Sequence, residues 1–173
     1  MFLILSRLDR VLVAANGLVV VALLGAMACI VFANVTLRFL TSESLVWAEE
    51  VARYLMIWMT FLGAGLALRR GLHVAVGGVQ QALPARAGLV LRGVVVALML
   101  AFFGLMVWTG MDYMDRMGRQ VTPATRISFK WIYAAMPVGF ALLVLHMAFA
   151  LPVWLRTGRF ESVSAPPDAP LAG

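Results

Sequence analysis

The stretch from Trp47 to Val76, WAEEVARYLMIWMTFLGAGLALRRGLHVAV, limits what this chain can fold into more than any other. It reads as an apolar helix with Glu49, Glu50 and Arg53 at its start and Arg69, Arg70 and His73 past its end. A charge near the centre of a membrane helix costs roughly 2.5–3.5 kcal/mol on insertion scales. The strictly uncharged part runs only from Tyr54 to Leu68, which is shorter than the roughly 20 residues that cross about 30 Å of hydrocarbon. If the segment spans, Arg53 and the two glutamates sit at or just inside the interface, paired or facing protein.

The rest of the chain repeats the pattern. Four apolar runs, at residues 11–36, 45–69, 89–112 and 129–155, are long enough to cross a bilayer as helices, which satisfy their own backbone groups there. The composition agrees: 63% of residues are hydrophobic and 13% charged, against about half and a quarter in soluble domains. The expected fold is therefore an all-α integral membrane protein, one four-helix domain over residues 1–160. Arg7 and Arg10 precede the first run with no small-residue cleavage site, so that run reads as a retained span and not a signal peptide. Pro137 and Pro152 predict kinks in the fourth helix. Leu72, Val76, Val79 and Leu83 recur at helical spacing, so residues 72–84 could form an interfacial helix, with an ordinary loop as the alternative. Residues 161–173, ESVSAPPDAPLAG, are expected to be disordered.

An even number of spans puts both termini on one side. Eight arginines (Arg7, Arg10, Arg69, Arg70, Arg86, Arg92, Arg156 and Arg159) share that side, and five basic residues (Arg38, Arg116, Arg119, Arg126 and Lys130) lie opposite. The positive-inside rule then favours cytoplasmic termini. Because the cations cluster at the ends of apolar runs, the net charge of +6 marks topology and not a nucleic-acid face. Trp47, Trp108, Tyr113, Trp131 and Tyr133 fall at the expected outer ends and Trp154 near the inner end, as an interfacial aromatic belt would. Trp58, near mid-helix, reads as a packing residue.

Glu49 and Glu50 lie four and three residues before Arg53, so both carboxylates can reach its guanidinium, and Ser44 is a reasonable N-cap. Two acids against one arginine leave a carboxylate to spare, and Arg38 or a partner subunit could neutralise it. A self-neutralising interfacial trio is the plainer alternative. Asn34, four residues before Arg38, suits either helix packing or a subunit contact. Gly63 and Gly65, with Ala64 and Ala67, would allow close helix approach. His146 reads as a satisfied core histidine. It differs in depth from His73 by more than roughly 10 Å, which argues against a shared haem. The single cysteine, Cys29, excludes an intrachain disulfide framework. No nucleophile–base constellation, phosphate-binding glycine loop or metal-ligand spacing is present, so an enzyme is not expected.

Several fragments carry a family resemblance. They are Asn34 and Arg38 in NVTLRF, and Glu49, Glu50, Arg53 and Tyr54 in WAEEVARY. FLGA at Phe61 to Ala64 and Arg70, Gly71 and His73 in RRGLHV continue the order, with Pro123, Trp131, Tyr133 and Pro137 further on. In this order the chain resembles the small membrane subunit of the tripartite ATP-independent periplasmic (TRAP) transporters, the DctQ-like family. The resemblance implies a multi-pass protein of the bacterial inner membrane that scaffolds a large permease subunit, with a periplasmic binding protein delivering an organic acid. Sodium would bind in the large partner, leaving this chain without a cofactor; its other partners would be membrane lipids. It also implies a subunit-interface or ion-pair role for Asn34, Arg38, Glu49, Glu50, Arg53, Arg70 and His73. Arg116, Arg119, Arg126 and Lys130 are candidates for docking the binding protein, or else form a solvated loop touching headgroups. The alternative reading is a small proton-coupled transporter acting alone as a homo-oligomer, with Glu49 or Glu50 as coupling carboxylate; a redox anchor would need ligands the sequence hardly offers.

Overall fold

The computed structural model describes residues 2–70 and 84–157. The candidate interfacial helix at 72–84, His73 and the tail at 161–173 fall wholly or largely outside them. Five helices are described: α1 (Phe2–Thr41), α2 (Ala48–Arg69), α3 (Ala85–Met117), α4 (Phe129–Tyr133) and α5 (Ala135–Thr157). Four segments, Arg7–Thr41, Ala48–Arg69, Arg86–Met117 and Phe129–Pro152, are long and apolar enough to cross a membrane. The architecture is that of a four-span, all-helical membrane protein.

The helices pack as a row. α1 lies along α2, α2 along α5, and α5 along α3, so α1 and α3 occupy the two edges. Burial follows this order: none of the most apolar stretch of α1 is buried, whereas 44% of that of the α4–α5 segment is. Leu18, Val21 and Phe32 on α1 and Leu98, Phe102 and Trp108 on α3 are among the exposed apolar side chains. In water such a surface would collapse; in lipid it is the solvated surface. α1 is 40 residues long, about 60 Å at 1.5 Å per residue. It therefore runs past the expected span of residues 11–36, and a helix of this length must tilt or project beyond about 30 Å of hydrocarbon.

Lipid tails are as apolar as leucine, so close packing between helices does the work that burial from water does in a soluble core. Leu68 of α2, Val96 and Phe103 of α3, and Leu143, Met147, Ala150 and Trp154 of α5 form the buried cluster. Phe61, Phe102, Phe103 and Phe140 add tilted and edge-on ring contacts at 5.8–6.1 Å between helices. Trp154 is thus a core residue, 1% exposed, and not the inner-belt residue its position suggested. Trp108, Trp131, Trp47 and Tyr113 are exposed at the opposite end. Gly139 sets the approach of α2 to α5, because a Cβ there would lie 2.7 Å from Phe61 Cβ and 2.8 Å from the Phe61 carbonyl oxygen. Gly63, expected to play this part, faces open space.

Pro137 interrupts the helical bonding of the fourth span, although Ala134 keeps helical dihedrals and the segment still reads as one span. The proline has no N–H to offer the Tyr133 carbonyl four residues back, and the helix is interrupted at Ala134, between α4 and α5. The proline ring fits against Gly110 of α3, where a Cβ would meet Pro137 Cδ at 2.8 Å. Beside the break, the Trp131 carbonyl accepts a 3.2 Å hydrogen bond from Trp58 Nε1. Trp58 therefore does more than fill space: it ties α2 to α4. Pro152 lies within α5.

Candidate functional site

Polar side chains gather in two places along the row. One is the end formed by the α1–α2 and α3–α4 connections, called the loop end here; the other lies toward the terminal end.

At the loop end, α1 stops at Thr41 and Ser42 takes a positive φ of 59°. α2 begins at Ala48 after Trp47, which provides no side-chain cap. Ser44 is therefore not the N-cap the sequence suggested. Asn34 instead reaches across from α1, its Oδ1 accepting from the Leu45 N–H at 2.7 Å. This intrachain bond accounts for Asn34 without a partner subunit. Asn34→Ala is expected to destabilise the protein by about 1 kcal/mol, read as a lowered thermal midpoint in detergent.

Glu49, Glu50 and Arg53 do not form one network. Arg53 pairs with Glu49 at 3.6 Å, and both side chains are largely exposed, so the pair contributes little to stability. Glu50 turns the other way and accepts from the Ala124 N–H at 2.8 Å, the Thr125 N–H at 3.3 Å, Thr125 Oγ1 at 3.1 Å and the Tyr54 hydroxyl. Its charge is met by hydrogen-bond donors of the α3–α4 loop and not by Arg53. Arg38 is exposed beside Val35, Phe39 and Ser42, and no acid among the described residues pairs with it. A groove of about 530 Å³ opens next to Glu50, lined by Val46, Ile57, Phe129, Ile132 and Tyr133 among others.

The α3–α4 loop is built, not loose. Val121 and Ser128 bridge antiparallel, the Thr122 N–H donates to the Ile127 carbonyl at 2.9 Å, and the Phe129 N–H donates to Gln120 at 3.0 Å. Thr122 Oγ1 accepts from the Ile127 N–H and meets Thr125 Oγ1 at 2.8 Å. Ser128 Oγ donates to the Gly118 carbonyl at 2.8 Å. Of the basic residues at and beside this loop, Arg116 in the last turn of α3 pairs with Asp112 at 2.8 Å. Arg119, Arg126 and Lys130 are exposed, without an acidic partner among the described residues.

Toward the terminal end, Asn16 of α1 sits 6% exposed against His146 of α5, which is fully buried. Asn16 Nδ2 donates to the Leu62 carbonyl at 3.0 Å and lies 3.1 Å from His146 Nε2. Gly65 makes room for the imidazole, since a Cβ there would collide with the ring. His146 is thus a core histidine as its position suggested, but only half satisfied: Nε2 meets Asn16, while its Nδ1 and Asn16 Oδ1 have no hydrogen-bond partner among the described residues. Further toward the end, Arg69 of α2 pairs with Asp9 of α1, both largely buried. Arg70 is exposed at the end of α2, and its backbone N–H closes the helix onto Leu66 at 3.2 Å. The sequence reading missed Asp9 and gave Asn16 no role. The available signal was Asn16 as a polar interruption of the first apolar run, with Asp9 between the arginines that precede it.

Known proteins place this arrangement. The sequence pattern of the family described as tripartite ATP-independent periplasmic transporters, DctQ component, matches residues 27–157. The ectoine TRAP transporter small permease protein TeaB of Halomonas elongata is 31% identical over 84% of this chain and 73% of its own length. The C4-dicarboxylate TRAP transporter small permease protein DctQ of Vibrio cholerae is 25% identical over 95% of this chain and 81% of its own length. The sialic acid TRAP transporter permease protein SiaT of Haemophilus influenzae is 25% identical over 83% of this chain but only 23% of its own, longer sequence. With a family match over most of its length, this chain belongs to the DctQ family of TRAP transporter small permease components.

Proposed function

We propose that this chain is the small membrane subunit of a sodium-coupled, binding-protein-dependent transporter for an organic acid, and that it widens the fixed part of a larger permease subunit within the bacterial inner membrane. Members of this family are transporter components, not enzymes. The observation that carries the reading is the open row of helices. A carrier acting alone needs polar groups converging on an enclosed path. Here Asn16 and His146 bond each other, and both Glu50 oxygens are taken by the loop and Tyr54. That leaves Glu50 poorly placed as a proton-coupling carboxylate. SiaT, in which a region like this chain makes up about a quarter of a longer permease protein, supports a large permease as the partner. Sodium and substrate are assigned to that partner. The arginine distribution supports cytoplasmic termini, an orientation in which the loop end faces the periplasm and the binding protein. Arg38, Arg53 and the exposed apolar edges of α1 and α3 are then the surface left for the large subunit and lipid.

Reconstitution into proteoliposomes tests this. With the binding protein and an inward sodium gradient supplied, uptake is expected only when the large subunit is present with this chain. Uptake by this chain alone would overturn the reading.

A further inference from the structure

We propose that Glu50 is a positioning residue for a cationic docking surface: it pins the tip of the α3–α4 hairpin so that Arg126, Arg119 and Lys130 are held out to an acidic face of the periplasmic binding protein. The inference rests on the proposed orientation, which puts this hairpin on the binding-protein side.

Three observations carry it. The tip residues Ala124 and Thr125 present consecutive N–H groups, and both donate to one carboxylate, at 2.8 and 3.3 Å, with Thr125 Oγ1 adding a third bond at 3.1 Å. Successive amides around one anion form a nest, a geometry in which the anion fixes the turn. The anion here comes from α2, seventy-four residues before Ala124, so the hairpin is tied to the membrane domain and not merely to itself. Next, Arg126 follows this turn with a φ of 56°, a left-handed conformation that a long side chain adopts only when its surroundings impose it. Finally, the charges are distributed to suit a partner. Arg116 is neutralised by Asp112, whereas Arg126 stands exposed at the tip. Arg119 and Lys130 flank the open end, next to the bond between Phe129 and Gln120. None of these three has an acidic partner among the described residues. Exposed cations on a fixed frame steer an acidic protein mainly by raising its association rate, an effect that fades with salt.

Glu50 acts only through the hairpin, so its role is separable from that of the cations. The test uses this chain assembled with the large subunit in lipid nanodiscs, and measures the association rate of the purified binding protein at low and physiological ionic strength. Arg126→Asn removes the charge with a residue that tolerates positive φ. It is expected to slow association by about 3- to 10-fold at low salt, with less effect at high salt. Glu50→Ala is expected to slow it comparably, to raise amide exchange at residues 121–128, and to leave co-purification with the large subunit intact. In the double variant the two losses should not multiply, since an unpinned Arg126 has little left to lose. Thr125→Val removes one bond to Glu50 and the Thr122 contact inside the hairpin without touching the acid, and should give a smaller loss of the same kind should Glu50→Ala fail to assemble.

Multiplicative losses, or wild-type association in Glu50→Ala and Thr125→Val alongside a slowed Arg126→Asn, would overturn the pinning role while leaving the docking surface standing. Unaltered association in Arg126→Asn and in charge reversals of Arg119 and Lys130 would overturn the docking surface itself. Neither result would touch the subunit assignment, which the uptake experiment decides.

Discussion

Arg69→Met is expected to destabilise the protein by about 3–5 kcal/mol, the cost of leaving a buried carboxylate without its counter-ion. Arg69 and Asp9 join α2 to α1 near the terminal end, with side chains only 11% and 22% exposed. Solvent therefore does little to compensate a lone Asp9. The double variant Asp9→Asn/Arg69→Met should recover most of the loss, because removing both charges removes the penalty along with the attraction. Thermal unfolding of the purified protein in one detergent, across wild type and the two variants, measures this directly. A single Arg69→Met variant as stable as the double one would mean that Asp9 is solvated in practice.

The second large effect is steric. Gly139→Ala puts a Cβ 2.7 Å from Phe61 Cβ and 2.8 Å from the Phe61 carbonyl oxygen. Neither is the far end of a flexible side chain, so α2 and α5 must separate. Overpacking of this kind costs about 1–3 kcal/mol, and Gly139→Leu is expected to prevent stable folding. Gly63→Ala is the control. It meets nothing within 4 Å and replaces a helical glycine with the best helix former, so it should be neutral or stabilising by up to about 1 kcal/mol. Thermal midpoints and monodispersity after extraction separate the two. Equal behaviour at positions 63 and 139 would show that the α2–α5 approach is not set by glycine.

How legible this was in the sequence depends on the range of the interaction. Hydropathy runs located four spans because the bilayer allows only one solution for each, a closed ladder of backbone bonds. Pro137 and its break were legible for the same local reason. Partner choice was not. Glu49, Glu50 and Arg53 have spacings that permit either acid to reach the arginine, and helical periodicity cannot say that Glu50 points to a loop seventy-four residues away. The glycines were legible only in part: Gly65 does allow close approach, to His146, but its neighbour Gly63 faces open space, and the tight backbone contact at Gly139 depends on Phe61. Trp154 was assigned to a belt by its depth, whereas its burial is decided by which side of α5 faces Leu68 and Val96. Asn16 and His146 were each legible as polar residues in apolar helices; their pairing required knowing that α1 and α5 meet.

That pairing has a consequence for how the protein is made. Asn16 lies in α1 and His146 in α5, one hundred and thirty positions further along the chain. Until α5 arrives, the nascent chain carries a membrane-embedded amide that lacks its final partner. The bond therefore closes only when synthesis of the row is complete. A chain truncated before His146 is therefore expected to hold Asn16 only through its bond to the Leu62 carbonyl of α2.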